Sequence, residues 1–413
     1  MKATLILLAF TLTAYTQDGT MEDYLTRATQ QHPGLQSAYQ EWQASLAVTR
    51  GADALPDPTL SFGYFAENVE TRVGPQEYKV GISQMIPWFG KRGLKKEAAG
   101  AGADTREAMW KADALNVFFD VKSAYHEYHY LKKAIDITRE NIDLVKHLEQ
   151  VAQARIRGGG ATSGAIQAQV ELGKLDDRLR TMTDMRKPLM ARLNAAVNQA
   201  IDTELPWPVS PPAHTPLTLD TPALLTAAEQ NPMVAAIEAR MRMETAKAQL
   251  ARKAQYPDIM LGVESIQTGA ALNPQLAGSG KDPLVGMIAL NIPLWPEKNR
   301  SRIAESRALM NAASAARDEQ VNSLQSALKM AIFNYEDAAR KLSLYKDTLI
   351  PQAKQSLQVS ESAYTNGKAD FINVIDAERL LLSFQLGLER ARADLEIGKA
   401  RIEMITAQEW NHE

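Results

Sequence analysis

The turn chemistry of this chain occurs twice at one interval, and few folds can satisfy that constraint. Residues 364–382 read YTNGKADFINVIDAERLLL. Asn366-Gly367 is a helix-ending pair, because both residues tolerate left-handed backbone that most L-residues avoid. From Phe371 the helical period resumes. Phe371, Val374, Ile375, Glu378 and Leu382 share one face, with Asp376 and Arg379 beside it. The stretch ARIRGGGATSGAIQAQVE, around residues 155–171, repeats the arrangement. Gly158 stands in the place of Gly367 and Ala168 in that of Ala377, both at an offset of 209 residues. Each stretch reads as the tip of a helical hairpin, and two tips in one chain point to a duplicated fold.

The remaining elements repeat in the same order. Residues 21–31 and 34–54 read as helices, and Pro56-Asp57-Pro58 stops the second. The period then falls to two. Leu60, Phe62 and Tyr64 alternate with Ser61 and Gly63 in 59–65, and Tyr78, Val80 and Ile82 alternate with Lys79, Gly81 and Ser83 in 77–86. These are strands with one apolar and one polar face, joined by a polar loop at 67–76. A helix over 93–157 follows, with a seam through Leu115, Phe118, Val121, Tyr125, Tyr128, Leu131 and Ile135. At 1.5 Å per residue it would reach about 90 to 100 Å. Beyond the Gly158 tip a helix runs back over 163–200, with Pro188 expected to bend it. The second half repeats this series: helices at 224–230 and 234–254, strands from Ile259 and over 284–294, a loop at 267–283, a long helix over 298–365 with a bend expected at Pro351, the Gly367 tip, and a last helix to Thr406. Between the halves, residues 204–222 carry six prolines and read as an extended linker.

Composition removes several function classes. The formal net charge of −3 gives no reason to expect a nucleic-acid partner. The absence of cysteine excludes disulfides, thiolate metal sites, a cysteine nucleophile and a lipid on cysteine. His126 and His129 form an i,i+3 helical pair that could hold a metal, although such a pair is ordinarily solvated surface. The fifteen methionines read as gap-filling core rather than soft-metal ligands. No phosphate loop is present. Residues 1–16, one lysine followed by an apolar run, read as a signal peptide, with a disordered tail as the alternative. No later stretch is long and apolar enough for a membrane helix, so an exported chain of this kind is either soluble outside the cytoplasm or a membrane β-barrel.

Four strands of about nine to eleven residues suit a tilted membrane strand, but four cannot close a barrel. If they lie in a membrane, several chains must share one barrel; a trimer would supply about twelve strands. The alternative is a soluble β layer beside a helical bundle. The expected domain plan is a signal peptide at 1–16, a first repeat at 17–203, the linker at 204–222 and a second repeat at 223–413.

The duplicated order, the proline-bounded strand pairs and the tip YTNGKADFINVIDAERLL resemble the TolC family of outer-membrane efflux proteins. The likeness spans essentially the whole chain after the signal segment. SQMIPWFGKRGL, residues 83–94, is similar to the stretch leaving the barrel in members that serve metal-cation efflux. The resemblance implies a mainly α fold with membrane β. Duplicated long-helix hairpins would form a trimeric α-helical barrel, joined to a transmembrane β-barrel shared by the three chains. It also implies a belt at 204–230, no cofactor and no chemistry. The implied partners are the two other copies of the homotrimer, a periplasmic adaptor, an inner-membrane pump and outer-membrane lipid. The family's acidic entrance positions fall on Asn373 and Asp376, of which only Asp376 keeps a carboxylate. Tyr364 falls on a position that ties the closed entrance; a seam aromatic is the plainer reading. Gly158, Gly159, Gly367 and Lys368 fall at the tips that meet the adaptor, where the glycines would also terminate helices. Asp376 could equally be a solvated charge favoured by the helix dipole.

The expected function is therefore the exit duct of a tripartite efflux system for metal cations or small toxic compounds. A type I protein-secretion duct of the same fold and a periplasmic coiled-coil protein without a pore are the alternatives. Nothing in the sequence supports an enzyme.

Overall fold

The computed structural model describes residues 19–159, 161–209, 216, 217, 219–273 and 275–408. The expected signal peptide lies outside them. The described residues form α1 (Met21–Gln31), α2 (Pro33–Gly51), β1 (Thr59–Tyr64), β2 (Glu70–Thr71), β3 (Gly74–Ile86), α3 (Lys91–Arg157), α4 (Ser163–Ala196), α5 (Thr221–Glu229), α6 (Pro232–Lys253), β4 (Ile259–Thr268), β5 (Leu284–Leu290), α7 (Pro296–Leu344), α8 (Ile350–Thr365) and α9 (Phe371–Thr406). They divide into two compact units, one of Met1–Ser37, Ala112–Asn231 and Ser323–Glu413, the other of Ala38–Lys111 and Pro232–Asn322. Both repeats contribute to both units.

The first unit is helical and holds three apolar clusters. One, next to the tips, joins Val145, Leu148 and Ala152 of α3 to Ala168 and Leu175 of α4 and to Phe371, Val374, Ile375 and Leu382 of α9. Ala168 and Ala377, the paired alanines of the two repeats, are both buried in it. A second packs Tyr24 of α1 against Tyr125 and Tyr128 of α3 and Leu193 of α4. The third joins Leu224 of α5, Leu328 and Ile332 of α7 and Ile402 and Ile405 of α9.

The linker's described start is extended, as its prolines require, and is strapped down. Trp207 stacks on Tyr128 with ring centroids 4.9 Å apart. Arg186 lies over the Trp207 ring at 4.6 Å and donates to the Leu205 carbonyl at 2.9 Å. Tyr125 donates its hydroxyl proton to the Val209 carbonyl at 2.7 Å.

Pro188 sits inside α4 without ending it. Pro351 acts differently from expectation. Near Pro351 the helix changes period rather than merely bending. Tyr345–Leu349 is a π-helical turn in which the Ile350 N–H donates to the Tyr345 carbonyl, five residues back. Pro351 has no N–H for the carbonyl four residues earlier, and a π-turn absorbs such a break in the ladder.

The second unit carries the sheet, antiparallel in the order β1-β3-β4-β5, with β2 paired to β3. Its register places Leu60 opposite Ile82, Phe62 opposite Val80, Ile82 opposite Val263, and Leu261 opposite Ile288. These apolar residues therefore share one face. Ser61, Gly63, Lys79, Gly81, Ser83, Gly262 and Glu264 share the other. The sheet departs from expectation in three places. A two-residue strand, β2, lies in the expected loop at 67–76. β3 begins at Gly74, because Pro75 can accept through its carbonyl (from the Gly269 N–H, 2.7 Å) although it cannot donate. β5 ends at Leu290, before Pro293.

At the α3 end of β3, the Asp258 carboxylate gathers two donors. Lys91 Nζ and the Trp88 N–H each reach its Oδ1 at 2.8 Å. Lys91 also donates to the Tyr256 carbonyl, and Trp88 stacks on Tyr256 at 5.6 Å.

Candidate functional site: the paired helical tips and the two-faced sheet

The second tip is a complete helix-stop. The Lys368 N–H donates to the Ala363 carbonyl and the Gly367 N–H to the Tyr364 carbonyl, which is the Schellman pattern. It needs one left-handed residue, and Gly367 supplies it at φ +77°. Asn366 keeps φ at −84°, so glycine alone makes the reversal. At the first tip the left-handed residue is Gly159 at φ +91°, one position beyond the expected Gly158. Gly158, Gly159, Gly367 and Lys368 are all exposed.

Arg155 joins the two tips. Its Nη1 donates to the Tyr364 carbonyl at 2.8 Å, capping the end of α8, and its guanidinium lies 4.5 Å over the Tyr364 ring. Tyr364 is buried and meets Phe371 edge-on at 5.1 Å. Gly164, in the first turn of α4, fits under this pair. A Cβ there would lie 3.0 Å from the Tyr364 hydroxyl and 3.1 Å from Phe371.

Beyond the tip, α9 divides its acids by face. Asn373 and Asp376 point outward, and the Asp376 side chain is 62% exposed. Arg379 Nη1 reaches Asp376 Oδ1 at 3.2 Å, and its Nε reaches Oε2 of the buried Glu171 at 3.0 Å. Lys174 stands 3.7 Å from the same Glu171 oxygen. Glu378 points inward and is fully buried, and neither of its oxygens has a hydrogen-bond partner. Burial, and then the Glu171 charge, push its carboxyl up to about 7, against the opposing pull of Arg379 and Asn141.

The structure thus brings Tyr364, Gly367, Lys368, Asn373 and Asp376 together at one tip, with Gly158 and Gly159 at the other. Sequence reasoning missed Arg155, Gly164, Glu171 and the role of Glu378. For the two glutamates a signal existed: Glu171 lies in helical step with Ala168 and Leu175, and Glu378 with Phe371, Val374 and Leu382. An acid on an apolar stripe is buried and needs a partner. His126 and His129 are held neutral by burial, His126 at about 4 and His129 below its usual range. Among the described residues no group of three or more acidic or histidine side chains is placed to hold a metal ion.

The sheet is the other unusual surface. On its apolar face Leu60 is 74%, Phe62 70%, Tyr64 71% and Ile288 77% exposed, a contiguous apolar band that water does not favour. On the opposite face Lys79 Nζ pairs with Glu264 Oε1 at 3.2 Å. No described helix is long and apolar enough to cross a membrane.

Residues 224–408 match the family model described as "Outer membrane efflux protein". The pyoverdine export outer membrane protein OpmQ of Pseudomonas putida is 25% identical over 337 residues, 78% of this chain and 67% of that protein. The cobalt-zinc-cadmium resistance protein CzcC of Cupriavidus metallidurans is 22% identical over 378 residues, 89% of this chain and 85% of that protein. The solved outer-membrane channel OprN superposes with a TM-score of 0.79 at 20% identity, covering 94% of this chain and 89% of that one.

Proposed function

We propose that this chain is a member of the outer membrane efflux protein family and acts as the exit duct of a tripartite efflux system. The observation that carries the reading is the sheet, with a strongly exposed apolar band on one face, the Lys79–Glu264 pair among small residues and Met85, Met260, Val285 and Met287 on the other, and its β1 and β5 edges unpaired among the described residues. Unpaired strand edges in lipid cost several kcal/mol per group, so the edges call for neighbouring copies. A homotrimer closes a barrel of about twelve strands, with the apolar band toward outer-membrane lipid and Lys79–Glu264 toward water. A periplasmic coiled-coil protein has no use for such a surface.

The tips form the periplasmic end. Gly158, Gly159, Gly367 and Lys368 are the surface offered to an adaptor protein and, through it, to the inner-membrane pump. Asp376 from three chains lines the entrance, with Asn373 beside it as a neutral ring. Converging carboxylates raise the local concentration of cations. Tyr364 stiffens the tip from within. The duct conducts passively, needs no cofactor and performs no chemistry. Its substrates are metal cations or small toxic compounds. The CzcC likeness and SQMIPWFGKRGL support that substrate class. The recurring order of elements supports the repeat plan of 17–203, 204–222 and 223–413.

The test is membrane fractionation with cross-linking. The protein is expected in the outer membrane, released only by detergent, and cross-linked to a trimer. Recovery as a monomer in the soluble periplasmic fraction would overturn the reading.

A further inference from the structure

Glu378 is a carboxyl in the wrong medium. It is fully buried, in helical step with the buried Val374, Ile375, Leu381 and Leu382, and both its oxygens lack hydrogen-bond partners. Beside it stands Asn141 of α3, itself buried, whose Oδ1 is also without a partner. The charge on α4 that acts on it is Glu171, buried, with Lys174 on the same oxygen that Arg379 contacts; on α9 the charges are Arg379 and, beyond it, Asp376. One guanidinium therefore stands among three carboxyl groups, two of them buried. An ionised Glu378 would be an uncompensated buried charge next to another of the same sign. A single proton resolves the cluster. The protonated carboxyl can donate to Asn141 Oδ1 once that amide turns its oxygen rather than its nitrogen toward Glu378, which satisfies two orphaned atoms, and it leaves Arg379 to bridge Glu171 and Asp376 as observed.

We propose that Glu378 is a proton-binding site of the entrance tip, and that loss of its proton draws Arg379 from Asp376 and loosens the packing of α9 on α4. The link to Asp376 rests on reading this tip as the duct entrance; the proton site itself does not. The direction follows from linkage. A carboxyl that binds its proton more tightly in the packed tip than in the opened one favours packing at low pH, and that advantage disappears as pH rises to about 7. Mildly acidic conditions hold the tip packed with Asp376 partly neutralised by Arg379. Neutral to alkaline conditions free the tip and expose the Asp376 charge.

Hydrogen–deuterium exchange on the full-length protein in detergent, corrected for intrinsic rates, tests this. Amide protection across residues 371–386 should fall about tenfold per pH unit between pH 5 and 7 and level off above. Glu378→Gln and the apolar Glu378→Met should both abolish that slope; the second guards against a folding defect peculiar to the amide. Glu171→Gln should move the midpoint to lower pH, because it removes the neighbouring like charge. A flat wild-type profile, or an unchanged slope in both Glu378 variants, overturns the proposal. Bilayer conductance measured on the same preparations separates the two readings. A pH slope lost in the Glu378 variants, with no conductance at any pH, keeps the proton site and rejects the duct. Conductance with a flat exchange profile does the reverse.

Discussion

The two tips share one turn geometry, yet they are built for different uses. Both end a long helix with a left-handed glycine, and both place a buried alanine nine or ten residues further on. Their return helices differ. Seventeen of the 36 residues of α9 are buried, against seven of the 34 of α4. α9 is thus held on several sides, and side chains presented from it are held in place. α4 contributes mainly supports: Gly164 beneath Tyr364, and Glu171 on Arg379. The exposed acid, Asp376, is on the rigid helix. The two tips share a backbone frame and differ in the charges they carry.

That contrast can be broken by mutation. The largest loss is expected from Tyr364→Ala, which empties a buried aromatic site shared by both tips and should cost about 3 to 5 kcal/mol, read as a lowered unfolding midpoint in detergent. Gly164→Leu should cost about 1 to 3 kcal/mol by overpacking the same site, and Tyr364→Phe in that background should recover part of the loss, since the hydroxyl is the nearest obstacle. The glycines sharpen the comparison. Gly367→Ala and Gly159→Ala should each cost about 1 kcal/mol, whereas Gly158→Ala should be nearly neutral, because only the first two are left-handed. Equal costs at Gly158 and Gly159 would return the first tip to the simple 209-residue correspondence. Asn373→Asp should leave stability within about 0.5 kcal/mol, as an exposed change, while strengthening block by multivalent cations.

Most of the fold was legible in the sequence, and the reasons are local. Helix lengths followed from the unbroken period of Leu115 to Leu148 and the scarcity of proline. The strands followed from alternation at Leu60–Tyr64 and Tyr78–Ile82. Errors arose where one residue type has two permitted uses. Pro75 reads as a loop but serves as an acceptor in β3. Pro351 reads as a bend, but a π-turn precedes it. Gly158 and Gly159 are chemically identical, so the sequence does not say which of them takes the left-handed position. The candidate site was legible only in part. Asp376, Asn373 and the tip glycines belong to one short motif. The Glu171–Arg379–Asp376 network and the buried Glu378 depend on α3, α4 and α9 meeting across some two hundred residues, a pairing that local period does not encode.

The central claim is that Asp376 lines the entrance of a conducting trimer, and single-channel recording in planar bilayers addresses it most directly. Wild type should conduct and be blocked by multivalent cations added on the tip side, and Asp376→Ala should weaken that block about tenfold or more with conductance retained. A protein that does not conduct, or an Asp376→Ala channel blocked as strongly as wild type, would contradict the account.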